Sequence, residues 1–374
     1  MRKICYISGT RADFGLMKQT LKLRDQDHEL DLKIIVTGMH LLKKYGETYQ
    51  EILELGLKVI GKVKVLLSGE SAGDMTIALG TQIIEFTKIL EKEKPDILLL
   101  LGDRGEMLAG AIVSLNLNIP IVHIHGGELS GSIDESIRHA ISKISHYHFT
   151  STELSRERLI KMGEEANNIF TVGAPGLDEI KKTKLIKRED LRKKFNINSS
   201  YILFLFHPVV QEYKSIKKQL LIIMEALLFH NVQILALMPN ADTGGNIISS
   251  ILEECNEKNN LKILVHLPRL EFLSLLSEAD LFIGNSSSGI IEAASLGTPV
   301  INLGNRQNLR ERNANVTDVK IEKLQIIEGV KKAMTSNKSS FDNVYGDGES
   351  SQRIIKLLKS LSTDSKILDK VNAY

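Results

Sequence analysis

Residues 284–304 read GNSSSGIIEAASLGTPVINLG. Three serines between two glycines, at the junction of an apolar run and an alanine-rich one, make a poor core, because every buried hydroxyl needs a partner. They suit an anion, since free N–H groups and the dipole at a helix N-terminus favour phosphate. One serine would be an ordinary N-cap; three with flanking glycines point to a phosphate. With Gly284 closing a strand and Ile290 opening a helix, the amides of Ser287, Ser288 and Gly289 are expected to face outward. Glu292 can accept hydrogen bonds from a ribose diol or simply complement the helix dipole.

Other chemistry-bearing residues are spread along the chain. Arg11 in GTRAD, Arg104 in GDR and Arg306 in GNRQ carry guanidinium groups able to clamp phosphate oxygens. Asp103, His125, Glu128, Asp134 and His207 are candidates for proton transfer. The spacing from Ser132 to Glu135 fits a capping box, which gives Glu135 a structural task. Asp134 is then free either to face a crevice or to pair with Arg138 one turn on. His123 with His125, and His146 with His148, form two HxH pairs. No cysteine or carboxylate at ligand spacing completes a zinc set, so no metal is expected. TGMH, with His40, and PNADTGG, with Asn240 and Asp242, are further polar segments that follow apolar runs. Neither GxxxxGK[ST] nor a GxGxxG opening a helix occurs, which argues against a kinase and against nicotinamide binding.

The elements that must position these residues read as alternating strands and helices. Apolar runs at 3–8, 32–38, 96–103, 119–127 and 146–152 form one series, and those at 201–208, 232–240, 262–268, 279–285 and 299–304 a second. They are continuous rather than alternating, as in strands covered on both faces, and helical patterns fall between them. This predicts an α/β fold with parallel sheets, built twice. The charged stretch 181–200 separates the series, so residues 1–180 and 181–350 are expected to form two Rossmann-like domains. Residues 351–374 form a helix and polar tail. Nearly every unusual polar residue follows the carboxyl end of a predicted strand, where open parallel sheets bind ligands.

A chain of 374 residues fits two domains, and 43% hydrophobic with 25% charged residues fits packed cores. Forty-eight Lys and Arg against 46 Asp and Glu leave a formal charge of +2, so neither nucleic acid nor an anionic membrane is an expected partner. Cys5 and Cys255 lie in apolar periodic segments and read as buried thiols. The first residues lack a leader-like apolar stretch, and no run approaches a membrane span, so the expected location is the cytoplasm.

Taken in order, GTRAD, VTGMH, GDR, HIHGGE, SGSIDESIRHAISK, FHPV, PNADTGG, GNSSSG, EAASLGTPVINLG and YGDG resemble the hydrolysing UDP-N-acetylglucosamine 2-epimerases, from about residue 3 to about 363. These enzymes make N-acetylmannosamine for sialic acid and related capsule sugars. The resemblance implies two Rossmann-like domains facing across a cleft, a GT-B-like arrangement, with the final helix crossing back to the first domain. It implies a uridine diphosphate site at Arg11, Arg104, His207, Asn240, Asp242, Ser286, Ser287, Glu292 and Arg306, and acid–base carboxylates at Asp103 and Asp134. A third catalytic position, usually glutamate, falls on His125. Either His125 or Glu128 then takes that role, or the sugar differs.

The implied reaction is UDP-N-acetylglucosamine plus water giving UDP and N-acetylmannosamine through a 2-acetamidoglucal, with no cofactor. The alternative keeps the chemistry and changes the sugar to UDP-2,4-diacetamido-2,4,6-trideoxy-glucose, of the legionaminic type. A glycosyltransferase, a non-hydrolysing epimerase and a non-catalytic sensor are further rivals. Long apolar helices such as 218–230 suggest a homo-oligomer, dimer or tetramer.

Overall fold

The computed structural model describes residues 1–23, 28–66, 72–130, 133–240, 242–256, 260–265, 267–335, 339 and 341–374. Seven strands build the first sheet: β1 (Arg2–Ser8), β2 (Leu30–Thr37), β3 (Lys58–Val63), β4 (Ile97–Leu101), β5 (Ile121–Ile124), β6 (Tyr147–Thr150) and β7 (Ile169–Thr171). Their order is β3-β2-β1-β4-β5-β6-β7. Six build the second: β8 (Tyr201–Leu205), β9 (Gln233–Leu237), β10 (Leu261–Leu264), β11 (Leu281–Gly284), β12 (Val300–Leu303) and β13 (Val316–Val319). Their order is β10-β9-β8-β11-β12-β13. All pairings are parallel. The α/β class is as the continuous apolar runs predict.

The physical reason is visible along β1 and β8. Ile4 and Tyr6 enter one core while Cys5 and Ile7 enter the core on the opposite face. Ile202 and Phe204 likewise face away from Tyr201, Leu203 and Leu205. Successive side chains point to opposite faces of a strand, so a sheet covered on both sides needs apolar residues at every position. Each fully buried Leu, Ile or Phe contributes about 2 kcal/mol.

Three strands are not among the ten apolar runs. β3, β7 and β13 are all edge strands, and their residues are mostly half-buried or exposed. With one neighbour and partial cover, they lack the apolar continuity that marks the central strands.

The helix Ser350–Ser360 packs on the helix Arg11–Leu23, and Ile354, Leu358 and Leu361 join the core of the first sheet. The Asp178 carboxylate accepts from the Ser350 and Ser351 amides at 3.0 and 2.5 Å, serving the start of that helix. The following tail docks as well. Lys370 donates to the carbonyls of Ser142, Lys143 and Ser145 at the end of the helix Ile133–Ile144, and the Ala373 amide reaches Gly163 O at 2.9 Å. Among the described residues no helix is long and apolar enough to cross a membrane.

Candidate active site

Each sheet reverses its order once, at β1/β4 and at β8/β11. Both reversals open onto one cleft of about 670 Å³. Crevices at such switch points are where open parallel sheets bind ligands. The second depends on Gly284, whose φ is +150° and whose Cβ, were there one, would stand 1.9 Å from Leu205 O. Only glycine lets β11 approach β8 so closely at the mouth of the site.

On the first lobe, the loop after β1 is shaped by Asp13. Its Oδ2 accepts from the Thr10 amide at 2.6 Å, and Thr10 Oγ1 accepts from the Asp13 amide at 3.1 Å, a reciprocal cap. This holds Arg11 at the cleft, where it pairs with Glu51. After β4, Asp103 binds Arg138, a guanidinium only 1% exposed that also donates to Glu128 O at 2.9 Å. Burial, with the like charges of Arg310 and Arg306, lowers the Arg138 pKa, so the Asp103 carboxylate is its necessary counter-ion.

After β5, the backbone of His125 turns left-handed, φ +65°. Nδ1 lies 2.7 Å from Glu128 Oε1, and Nε2 is buried without a partner on a ring that lines the cleft. Glu128 also accepts from Ser151 Oγ at 2.5 Å and from Arg310. Burial disfavours its charge, but Arg310, His125 and Ser151 outweigh burial and hold the carboxyl below the usual range. An ionised Glu128 is acceptor-only, so His125 Nδ1 is the donor in their contact, and Nε2 is the ring nitrogen left without a partner.

On the second lobe, His207 Nδ1 accepts from the Asn240 amide at 3.2 Å. Burial, then Arg306 nearby, lowers its pKa to about 3. The ring is therefore neutral with its proton on Nε2, a hydrogen-bond donor rather than a base. Arg104 crosses from the first lobe to Asp242 at 3.3 Å, and Asn240 Nδ2 holds the other Asp242 oxygen at 2.5 Å. Glu292 binds Arg269 through Oε1, while Oε2 is buried and unpartnered. Arg306 donates to Asn285 O at 3.2 Å and faces Asp134 at 3.7 Å.

Most of the residues singled out in the sequence thus meet: Arg11, Asp103, Arg104, His125, Glu128, His207, Asn240, Asp242, Ser286, Ser287, Glu292 and Arg306 all line the cleft. Three expectations need correction. His40 is fully buried behind the β1 loop, its nitrogens engaged by Ser8 Oγ at 2.9 Å and Thr48 Oγ1 at 2.8 Å, so it supports the loop instead of lining the cleft. The helix after β11 starts at Ser287, not Ile290, and Ser286 caps it. Its oxygens accept from the Ser288 and Gly289 amides, so three open amides are not available there. Of the two readings left open for Asp134, pairing with Arg138 is not the one adopted: Arg138 is drawn to Asp103, and Asp134 faces Arg306.

Ser132 lies outside the described residues, and Glu135 instead accepts from the Ser130 amide at 2.8 Å. His123 is no metal partner for His125, because Ser142 and Gly102 O take its two nitrogens at 3.0 and 2.8 Å. Asp13, Arg138, Arg269 and Arg310 were not among the candidates. Asp13 has a local signal in its T-x-x-D spacing from Thr10, and Arg138 one in its spacing from Asp134; Arg269 and Arg310 have none.

Two doubly wound parallel sheets with their switch points opposed across a polar cleft define a GT-B-like protein. The chain belongs to the UDP-N-acetylglucosamine 2-epimerase family, whose model matches residues 22–359. It is 48% identical over 376 residues to the UDP-N,N'-diacetylbacillosamine 2-epimerase (hydrolyzing) of Legionella pneumophila, covering all of both chains. It is 37% identical to the GDP/UDP-N,N'-diacetylbacillosamine 2-epimerase (hydrolyzing) of Campylobacter jejuni, over 86% of this chain and 85% of that one. The structure of UDP-GlcNAc 2-epimerase from Neisseria meningitidis bound to UDP-GlcNAc aligns with a TM-score of 0.79 over 95% of this chain and 99% of that one, at 20% identity. That likeness concerns the fold.

Proposed function

We propose that this protein is a hydrolysing 2-epimerase acting on UDP-N,N'-diacetylbacillosamine, a UDP-linked 2,4-diacetamido-2,4,6-trideoxy-glucose. The reading that puts UDP-N-acetylglucosamine first gives way to the diacetamido sugar. The full-length 48% identity to the Legionella enzyme supports that choice. The chemistry rests on one geometric observation: the unpartnered His125 Nε2, oriented by Glu128, shares a cleft with Asp103 and the guanidinium groups of Arg104 and Arg306.

The C2 proton of such a sugar is not acidic, because no carbonyl adjoins it. Loosening the anomeric C–O bond first gives C1 oxocarbenium character and makes C2–H removable. Arg306, Arg104 and the serine loop at 286–288 stabilise the departing diphosphate, preorganised charge that needs no rearrangement as the bond breaks. The His207 Nε2–H supplies a further donor. Asp103, fixed by Arg138, steadies the developing positive charge. His125 Nε2 takes the C2 proton, the C1–O electron pair leaves with UDP, and a 2-acetamidoglycal remains. Water then adds its hydroxyl at C1 while a proton is delivered to the opposite face of C2, a second transfer assigned in this reading to Asp134. The sum is UDP-sugar plus water giving UDP and the free manno-configured sugar.

In this reading Glu292 Oε2 accepts from the ribose hydroxyls, and Arg11, Asn240 and Asp242 shape the nucleotide side of the cleft. The test is product analysis by NMR after incubation with UDP-N,N'-diacetylbacillosamine and, separately, UDP-N-acetylglucosamine. Release of free 2,4-diacetamido-2,4,6-trideoxy-mannose at much the higher kcat/KM supports the assignment. Preference for UDP-N-acetylglucosamine would return the sugar to the acetylglucosamine series.

A further inference from the structure

Glu128 belongs to the first lobe, yet its strongest partner comes from the second. Residues 304–313 follow β12 and reach across the cleft. Within that segment Arg306 faces Asp134, Arg310 binds Glu128 Oε2, and Glu311 accepts from Thr152 Oγ1. Tyr345 steadies the segment by donating to Glu311 O at 2.9 Å. The Arg310 side chain is 8% exposed and that of Glu128 3%. Glu128 thus spends one oxygen on His125 Nδ1 and Ser151, and the other on Arg310.

We propose that Arg310 is a positioning residue for proton transfer: carried by the second lobe, it holds Glu128, and through Glu128 the His125 ring, so that the dyad is complete only when the lobes are together. This deepens the function proposed above and rests on it. A buried carboxylate that loses its cation is strongly destabilised. Without Arg310, Glu128 relieves that by turning to the neighbouring Arg138 or by taking a proton, and either change removes the acceptor that fixes His125 Nδ1. Lobe closure around the nucleotide would then assemble the catalytic constellation as well as enclose the sugar, a coupling that keeps proton transfer from running in an open cleft.

The test compares wild type, Arg310→Met, Arg310→Lys, Glu128→Gln and the Arg310→Met/Glu128→Gln double variant. Free-sugar release gives kcat and KM, and calorimetry gives the UDP affinity. Arg310→Met is expected to lower kcat about 100-fold, the scale of positioned acid–base catalysis. KM and UDP affinity should stay within about threefold, because an interaction acting in the transition state was removed. Arg310→Lys keeps the charge but not the fork and should recover part of the loss. The double variant should be no worse than Glu128→Gln, since both changes cut one chain of contacts.

An unchanged kcat in Arg310→Met overturns the inference, as does a loss confined to KM and UDP affinity, or a double variant whose losses multiply. If Arg310→Met does not fold, Arg310→Lys on the wild-type and Glu128→Gln backgrounds gives the same cycle. A wild type that releases no sugar from any UDP-sugar defeats the functional reading itself. An active wild type with an indifferent Arg310 defeats the inference alone.

Discussion

Asp134 and Arg306, one from each lobe, face each other at 3.7 Å, while Arg138, one turn along Asp134's own helix, turns to Asp103. The cleft therefore holds its arginines partly neutralised by carboxylates from the opposite side, and Arg104 with Asp242 repeats the pattern. In the proposed reaction a diphosphate entering between them takes over guanidinium donors already in place, which frees Asp134 for the sugar.

Arg306→Met should weaken UDP binding by about 10- to 100-fold, the worth of one charge-assisted hydrogen bond set. Titration calorimetry with UDP reads this directly. An unchanged affinity would remove Arg306 from the diphosphate site.

Asp103→Asn should lower kcat by about 100- to 10,000-fold while leaving UDP affinity within a few-fold. The amide keeps the shape but not the charge that balances Arg138 and that the proposed mechanism sets against the developing positive sugar. Steady-state kinetics with a parallel UDP titration separate the two effects, and undiminished turnover would reject a catalytic role for Asp103.

The same burial that builds the cleft makes the fold acid-sensitive. Burial lowers the pKa of His40 to about 4, and those of His123 and His207 to about 3, from an ordinary 6.5. The folded chain keeps all three neutral while the unfolded chain takes up protons below about pH 6.5. Stability is thus fully present above that pH and is lost as pH falls towards the folded values, at up to about 1.4 kcal/mol per pH unit for each histidine. Melting curves between about pH 8 and 4.5 check the sign. A midpoint that holds steady below pH 6 would contradict it.

What could be read from the chain follows from which forces are local. The central strands announce themselves because each residue from Ile4 to Ile7, or from Ile97 to Leu101, is buried on one face or the other. β3, β7 and β13 do not, because an edge strand is half-covered and needs no such run. The polar residues at strand ends identify the cleft, since parallel topology collects them there whatever their distance in sequence. Their partners are another matter. Arg138 choosing Asp103 over Asp134, Arg310 reaching Glu128 from 182 positions away, and Arg269 taking Glu292 are products of tertiary packing. His40 shows the converse: a strand-end histidine whose neighbours Ser8 and Thr48 turn it away from the cleft.

The most direct test of the central claim is an NMR experiment in heavy water with UDP-N,N'-diacetylbacillosamine as substrate. The account predicts UDP and a free manno-configured diacetamido sugar carrying one deuterium at C2, because the proton taken by His125 is replaced from solvent on the other face. A free sugar with its original C2 proton, or a product still joined to UDP, would contradict it.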